Sequence, residues 1–320
     1  MKLENIISKF KGKKVLVIGD LMLDKYVWGN VDRISPEAPV PVIEVTRESQ
    51  NPGGAANVGY NIHCLKGNPL LVGVVGNDAE GKELREILKK KGMDTSGIFI
   101  DSSSSTTVKT RLVVEAPHQQ IARIDRERKH PISQKLSERI FDFVKSVQSE
   151  FNTVLFEDYD KGMLDNGIIK RIISVFSDKI ITADPKFDHF FEYENVTLFK
   201  PNRKEVERIL GVKFNPQNIK SIGHKIMKKL NCKSVLLTLG KDGMMLFESK
   251  GETKIPTKAI EVYDETSAGD AAIAGATMAL SAGASLKESA YIANFAAGIE
   301  VGKFGAVPVT YDELLQAVNL

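Results

Sequence analysis

Cysteine is nearly missing from this 320-residue chain, which has only Cys64 and Cys232. Each stands alone in a segment that reads as part of the core, so neither a disulfide framework nor a cysteine zinc site organises the molecule. Histidine is sparse too. His63, His118, His130, His189 and His224 are scattered, and no two stand at the i, i+4 spacing that turns a pair of imidazoles toward one metal. No apolar run approaches the roughly 18 residues a membrane span needs, and the opening MKLENIISKFKGKK is amphipathic and charged rather than secretory. The expected compartment is the cytosol, with no membrane partner. A large excess of either charge is also lacking. Lys+Arg number 44 against 41 Asp+Glu, a net +3, and the two signs are interleaved, which speaks against nucleic acid as a partner.

What is present is ordinary globular composition, 42% hydrophobic and 27% charged, enough to enclose a large core. Short β-rich runs at residues 14–19, 70–76, 153–156, 180–183, 196–199 and 234–238 alternate with patterns such as 79–91 and 133–147, which are apolar at three- and four-residue spacing. This predicts an α/β fold built from βαβ units, with a mostly parallel sheet covered on both faces. No repeat or linker divides it, so one principal domain over residues 1–320 is expected. Two segments do not fit the layers. Residues 26–47 and 107–125 alternate polar and apolar positions, contain Pro and carry no helical period, which predicts antiparallel strands in a small β lid. An outward apolar face on that lid would suit a second copy of the chain, so a lid-to-lid homodimer is the expected assembly.

The segment richest in chemistry is VYDETSAGD at residues 262–270, followed by the small-residue run AAIAGATMAL. Small residues at the mouth of a helix allow a ligand close to its first turn, where unpaired N–H groups and the positive dipole end favour an anion. By itself, an aspartate such as Asp270 there is first of all a helix cap. At the end of the first β run, Asp20 and Asp24 stand where open α/β sheets bind ligands, and carboxylates accept hydrogen bonds from paired sugar hydroxyls.

The Ala268-Gly269-Asp270 turn, taken with Gly53-Gly54-Ala55-Ala56-Asn57 and Asn202-Arg203-Lys204-Glu205, resembles the ribokinase/PfkB carbohydrate kinase family over essentially the full length. The resemblance implies a ribokinase-like three-layer sandwich and an ATP-dependent sugar kinase. It makes Asp270 the catalytic base, with the amides of Ala268 and Gly269 as an anion hole. It implies that Asn202 and Glu205 are tied to Mg2+ and phosphate through water. Thr238, Gly240 and Gly243, with Lys200 and Asn202, fall on the ATP side, and Asn294 and Gly298 lie near the adenine. Asp20, Asp24, Gly53, Gly54 and Asn57 fall on the sugar side. One departure is visible: Ser267 stands where the family usually has glycine, and a serine tolerates fewer backbone angles.

Further stretches look like the D-glycero-D-manno-heptose-7-phosphate kinases: IGDLMLDKY from Ile18, RISPEAPVPV from Arg33, QQIARID from Gln119, DYDKG from Asp158 and Asp184-Pro185-Lys186. That resemblance implies phosphorylation at O1 of a heptose 7-phosphate, on the way to the ADP-heptose of lipopolysaccharide cores. A phosphorylated acceptor calls for a cation in the pocket, for which Lys161 and Arg123 are the candidates and Lys186 a further one. Some members are fused to an adenylyltransferase with a His-x-x-His motif, which this sequence lacks; a stand-alone kinase or a kinase half is expected.

Two other nucleotide folds fail. Residues 76–83 nearly spell a phosphate loop, but Glu83 replaces the Ser or Thr that should hold magnesium. A dinucleotide fold would need a Gly-x-Gly-x-x-Gly turn after the first strand, where only Gly19 is found. Fructose-phosphate or ribose-like acceptors, and a silent sugar-binding regulator, are the competing functions.

Overall fold

The computed structural model describes residues 3–116, 118–128, 130–258 and 266–319. In chain order the elements begin α1 (Glu4–Ile7), β1 (Lys14–Gly19), β2 (Leu21–Ile34), β3 (Pro41–Gly54), α2 (Ala55–Cys64), β4 (Asn68–Gly76), α3 (Ala79–Lys90) and β5 (Ile98–Asp101). They continue with β6 (Thr107–Val114), β7 (Gln120–Arg126), α4 (Gln134–Val147), β8 (Thr153–Glu157), α5 (Asn166–Val175), β9 (Ile180–Asp184) and β10 (Leu198–Phe199). The last are α6 (Arg203–Leu210), α7 (Ile219–Leu230), β11 (Ser234–Thr238), β12 (Met244–Glu248), β13 (Gly251–Ile255), α8 (Ala268–Ser281), α9 (Leu286–Glu300) and α10 (Tyr311–Ala317).

Among the described residues the main sheet runs β13-β12-β11-β10-β9-β8-β1-β4-β5. It is parallel except for the antiparallel β11–β12 and β12–β13 pairs at one edge. Strand β1 shows why its run is continuously apolar. Val15 and Val17 enter one core with α2, α8 and α9, while Leu16 and Ile18 enter a second core with α4, α5 and α7. Helices thus cover both faces, and each buried Val, Leu or Ile adds roughly 1.5–3 kcal/mol. The fold is the three-layer α/β sandwich expected.

Helix α8 is buried along its whole length from Asp270 to Leu280, which an amphipathic helix could not tolerate and this Ala-rich one can. A Cβ added at Gly275 would lie 3.1 Å from the Ala296 Cβ, so small residues set the close approach of α8 to α9. Residues 196–199 form a shorter strand than expected. The Thr197 hydroxyl accepts from the Ile181 amide at 3.2 Å, so a side chain occupies that donor where a ladder carbonyl would.

The lid is a second sheet in the order β3-β2-β6-β7. It covers both expected segments but begins earlier, at Leu21. One expectation is corrected: β2 and β6 pair in parallel, not antiparallel. The reason is topological. Strand β2 leaves the end of β1 and β6 follows the end of β5, and these main-sheet strands point the same way, so both lid strands rise from one edge in one direction. Tyr26, Trp28 and Val113 pack beneath the lid against Phe304.

Candidate active site

Asp270 is the third residue of α8 and is 5% exposed. It does not cap its own helix. Its Oδ2 accepts from Asn57 Nδ2 at 2.8 Å and its Oδ1 from the Tyr159 hydroxyl at 2.8 Å. Burial raises its pKa to about 6; Asn57, Tyr159 and Lys200 pull it down, and the charge of Asp24 adds to the rise. A carboxylate so placed accepts a proton readily near neutral pH. Beside it, Ala268 and Gly269 occupy the first turn, where backbone N–H groups have no intrahelical partner.

Two cavities meet at this carboxylate. The larger, about 510 Å³, is lined by Ala268, Gly269 and Asp270, and also by Lys200, Asn202, Glu205, Thr238, Gly240, Gly243, Asn294 and Gly298. The smaller, about 370 Å³, is lined by Asp24, Gly54, Asn57, Arg123 and Lys161. Tyr159, Lys186, Thr266 and Asp270 line both. The residues expected on the nucleotide side and, of those expected on the sugar side, all but Asp20 and Gly53 thus line separate chambers with Asp270 at the seam. Val262, Tyr263, Asp264 and Glu265, read as the β segment before the turn, lie outside the described residues.

On the larger cavity, Asn202 and Glu205 form a capping box on α6: the Asn202 side chain accepts from the Glu205 amide at 2.9 Å, and Glu205 Oε2 from the Asn202 amide at 2.8 Å. Glu205 Oε1 pairs with Lys186 Nζ at 2.8 Å. Lys200, 2% exposed, pairs with Asp184 at 2.7 Å just beneath Gly269. Burial lifts Asp184 to about 7 despite Lys200, and burial with the nearby charges of Asp184 and Asp270 lifts Glu157 well above the usual range. The Gly-rich turn joins β11 to β12 as a hairpin and still walls the cavity. Gly243 has φ +83°, and a Cβ there would stand 2.2 Å from the Ile255 carbonyl oxygen. Asn294 donates to the Pro256 carbonyl at 2.8 Å.

On the smaller cavity the two strand-end aspartates part company. Asp24 faces the chamber and accepts from Arg111 Nη1 at 2.6 Å. Asp20 is 3% exposed and lines neither cavity; its carboxylate accepts from the amides of Tyr159, Lys161 and Met163. The structure thus turns Asp20, expected on the sugar side, toward the backbone of the following loop rather than onto the wall of the cavity. Gly53 lies behind Asp24, where a Cβ would be 2.7 Å from Oδ2. Arg123 pairs with Asp125 at 2.8 Å, and Lys161 with Glu127 at 3.2 Å.

Sequence reasoning missed Lys109, Arg111 and Tyr159. Lys109 and Arg111 stand two apart on β6, on one face of a strand, and both line the smaller cavity. That period was visible. Tyr159 stood in the DYDKG stretch without a role, because the contact that gives it one is with a residue 111 positions away. Ser267, in place of the customary glycine, sits at φ −118°, ψ 10°, an ordinary conformation, and its hydroxyl donates to the buried Glu300.

Residues 12–312 match the pfkB family of carbohydrate kinases. The chain is 42% identical over 310 residues to the bifunctional protein HldE of Helicobacter pylori strain J99, covering 96% of this chain and 66% of that protein. It is 39% identical over 312 residues to HldE of Helicobacter hepaticus, covering 97% and 64%. The chain therefore spans about two thirds of the length of these relatives. Among solved structures, phosphofructokinase-2 of Escherichia coli superposes with a TM-score of 0.79 at 18% identity, over 97% of this chain and 98% of that one. Ribokinase of Arabidopsis thaliana does so with a TM-score of 0.74 at 21% identity, over 97% and 99%.

Proposed function

Because this chain belongs to the pfkB family of carbohydrate kinases, and so is an ATP-dependent sugar kinase, we propose that its acceptor is a phosphosugar, with O1 of D-glycero-beta-D-manno-heptose 7-phosphate receiving the phosphoryl group to give the 1,7-bisphosphate. The observation that carries this reading is the lining of the smaller cavity. Lys109, Arg111, Arg123, Lys161 and Lys186 face three carboxylates there, Asp24, Glu127 and Asp270. Arg123 and Lys186 also pair with Asp125 and Glu205, so the cations are balanced rather than in surplus. What favours a phosphate is five cationic donors gathered on one wall, which a phosphate would engage by charge-assisted hydrogen bonds and a neutral sugar would not need. The lid run RISPEAPVPV and the similarity to HldE favour a heptose over a fructose-phosphate or ribose-like acceptor.

In this reading Asp270 accepts the proton of the attacking hydroxyl as its oxygen bonds to the γ-phosphorus, and the bond to the β-phosphate oxygen breaks to release ADP. Proton acceptance contributes on the order of 10²- to 10⁴-fold in rate. The amides of Ala268 and Gly269 face the phosphoryl oxygens, where charge is stabilised without reorganisation. Asp184, Asn202 and Glu205 put oxygen atoms on the wall of the larger cavity, the donor type magnesium would take, although among the described residues no three His, Cys, Asp or Glu side chains cluster as a direct metal site. Both Glu205 oxygens already accept hydrogen bonds, so that residue would hold the ion through water. When bound, magnesium would neutralise charge on the β- and γ-phosphates.

The test is turnover with a panel of phosphosugars and unphosphorylated sugars. Lys161→Ala should raise KM for the heptose phosphate at least about ten-fold while leaving KM for ATP nearly unchanged. Equal changes in both would discard the phosphate assignment, and sugar binding without turnover would favour a regulator.

We also infer that two copies pair through their lids. Ile34, Val45 and Ile124 of the lid strands are 63%, 52% and 59% exposed, more apolar surface than a solvated sheet face needs. Sedimentation giving only monomer at high concentration would remove this.

A further inference from the structure

We propose that Asp20 and Tyr159 are positioning residues acting in series: Asp20 folds the loop at residues 158–163, and that loop carries the Tyr159 phenol onto Asp270 and Lys161 into the acceptor cavity. The inference rests on Asp270 being the base.

The geometry begins at Asp20. Oδ2 accepts from the amides of Tyr159 at 2.9 Å and Lys161 at 3.1 Å, and Oδ1 from that of Met163 at 3.2 Å. Three alternate amides of one loop thus converge on one buried carboxylate, which fixes the loop backbone more firmly than any single bond would. The loop needs that hold. Asp160 has φ +55° and Gly162 φ +84°, and a Cβ on Gly162 would lie 2.5 Å from the His130 carbonyl oxygen. Left-handed backbone at a non-glycine residue persists only where the surroundings over-determine it.

From this frame two side chains leave toward the site. The Tyr159 hydroxyl donates to Asp270 Oδ1 at 2.8 Å, and Tyr159 lines both cavities. Lys161 lines the acceptor cavity, with Nζ 3.2 Å from Glu127 Oε2. Tyr159 is not a second base. Burial and the charges of Asp270, Glu157 and Asp184 push its phenol well above the ordinary value of 10.0, so it remains a donor. A hydrogen bond donated to a carboxylate favours the charged form. With Asn57 on the other oxygen, the phenol also fixes the carboxylate plane. The groups facing Asp270 from the packed elements are Asp24 of β2, Asn57 of α2, Glu157 of β8, Tyr159, and Lys200 after β10.

The test compares pH–rate profiles of the full chain, with ATP and the best phosphosugar of the panel. Tyr159→Phe should move the acid limb of kcat/KM up by about one unit while keeping both KM values within about two-fold, so that the loss is about two-fold at pH 7, approaches ten-fold below pH 6 and vanishes at higher pH. Asp20→Asn should show the same upward limb and, in addition, a raised KM for the phosphosugar, because Lys161 moves with the loop. A Tyr159→Phe profile unchanged in pH, with folding intact by thermal melting, would overturn the proposal. Asp270→Asn separates this from the base itself: if that variant still turns over, the base assignment has failed, whereas an inactive Asp270→Asn beside an unmoved Tyr159→Phe profile overturns the positioning role alone.

Discussion

Asn57 Nδ2 and Asp270 Oδ2 meet at 2.8 Å across 213 residues of chain. Asn57 is the third residue of α2 and Asp270 the third of α8, so the contact brings two helix N-termini against each other. The positive ends of both helices thus lie near the carboxylate at the seam between the cavities.

The first prediction concerns pH. In the proposed role Asp270 accepts a proton and so must be ionised, and burial holds its pKa at about 6. The rate should therefore be flat above that value and fall as pH drops through it. Asn57→Ala removes a donor to the charged form and should move the limb upward. Stability has the opposite sign. The folded value lies above the ordinary 3.8 of an aspartate, so the shift favours folding fully below the unfolded value, and that contribution is lost as pH rises through about 6. Asp270→Asn should then leave Tm at pH 8 unchanged or higher while kcat falls on the order of 10²- to 10⁴-fold. A pH–rate series and a melting series on both proteins check this; a fall in Tm with activity retained would contradict it.

The fold was legible wherever one residue pattern implied one environment. The unbroken run of β1 could only be a strand with both faces covered, and the alternation of the lid could only be a half-covered sheet. Strand direction in the lid was not legible, because the parallel pairing of β2 with β6 follows from where their two parent strands end. The site divides the same way. Asp270, Gly269 and Asn57 sit in compact motifs and came together as expected. Asp20 and Asp24, four residues apart, could not be told apart from sequence, since what distinguishes them is a loop 139 residues downstream of Asp20 that engages one through three amides and leaves the other facing the cavity.

Gly53→Ala supplies the second prediction. The added Cβ would lie 2.7 Å from Asp24 Oδ2 and 2.9 Å from its Cγ. Asp24 cannot yield easily, because Arg111 holds its other oxygen at 2.6 Å and both side chains are buried. The strain should displace a carboxylate of the acceptor cavity and leave the nucleotide cavity alone. KM for the acceptor should rise about ten-fold, with KM for ATP within about two-fold. Initial rates with each substrate varied in turn decide it, and a rise confined to ATP would show that Asp24 serves the other chamber.

Ser267→Gly, which restores the glycine usual at this turn, should make the protein less stable. The serine already has an ordinary negative φ, so glycine relieves no strain. The substitution instead removes the hydroxyl that donates to Glu300, a side chain only 1% exposed. Taking a donor from a buried carboxylate costs about 1–3 kcal/mol, and the extra freedom of glycine in the unfolded chain adds roughly 0.5–1 kcal/mol. Catalysis should change little, within about three-fold in kcat, because the amides of Ala268 and Gly269 and the clamp of Asn57 and Tyr159 on Asp270 are untouched. Thermal melting beside steady-state rates measures both. A gain in Tm would mean that the turn, and not the hydroxyl, sets the cost at residue 267; a large loss of kcat at unchanged Tm would mean that the serine hydroxyl itself takes part in holding the phosphoryl group.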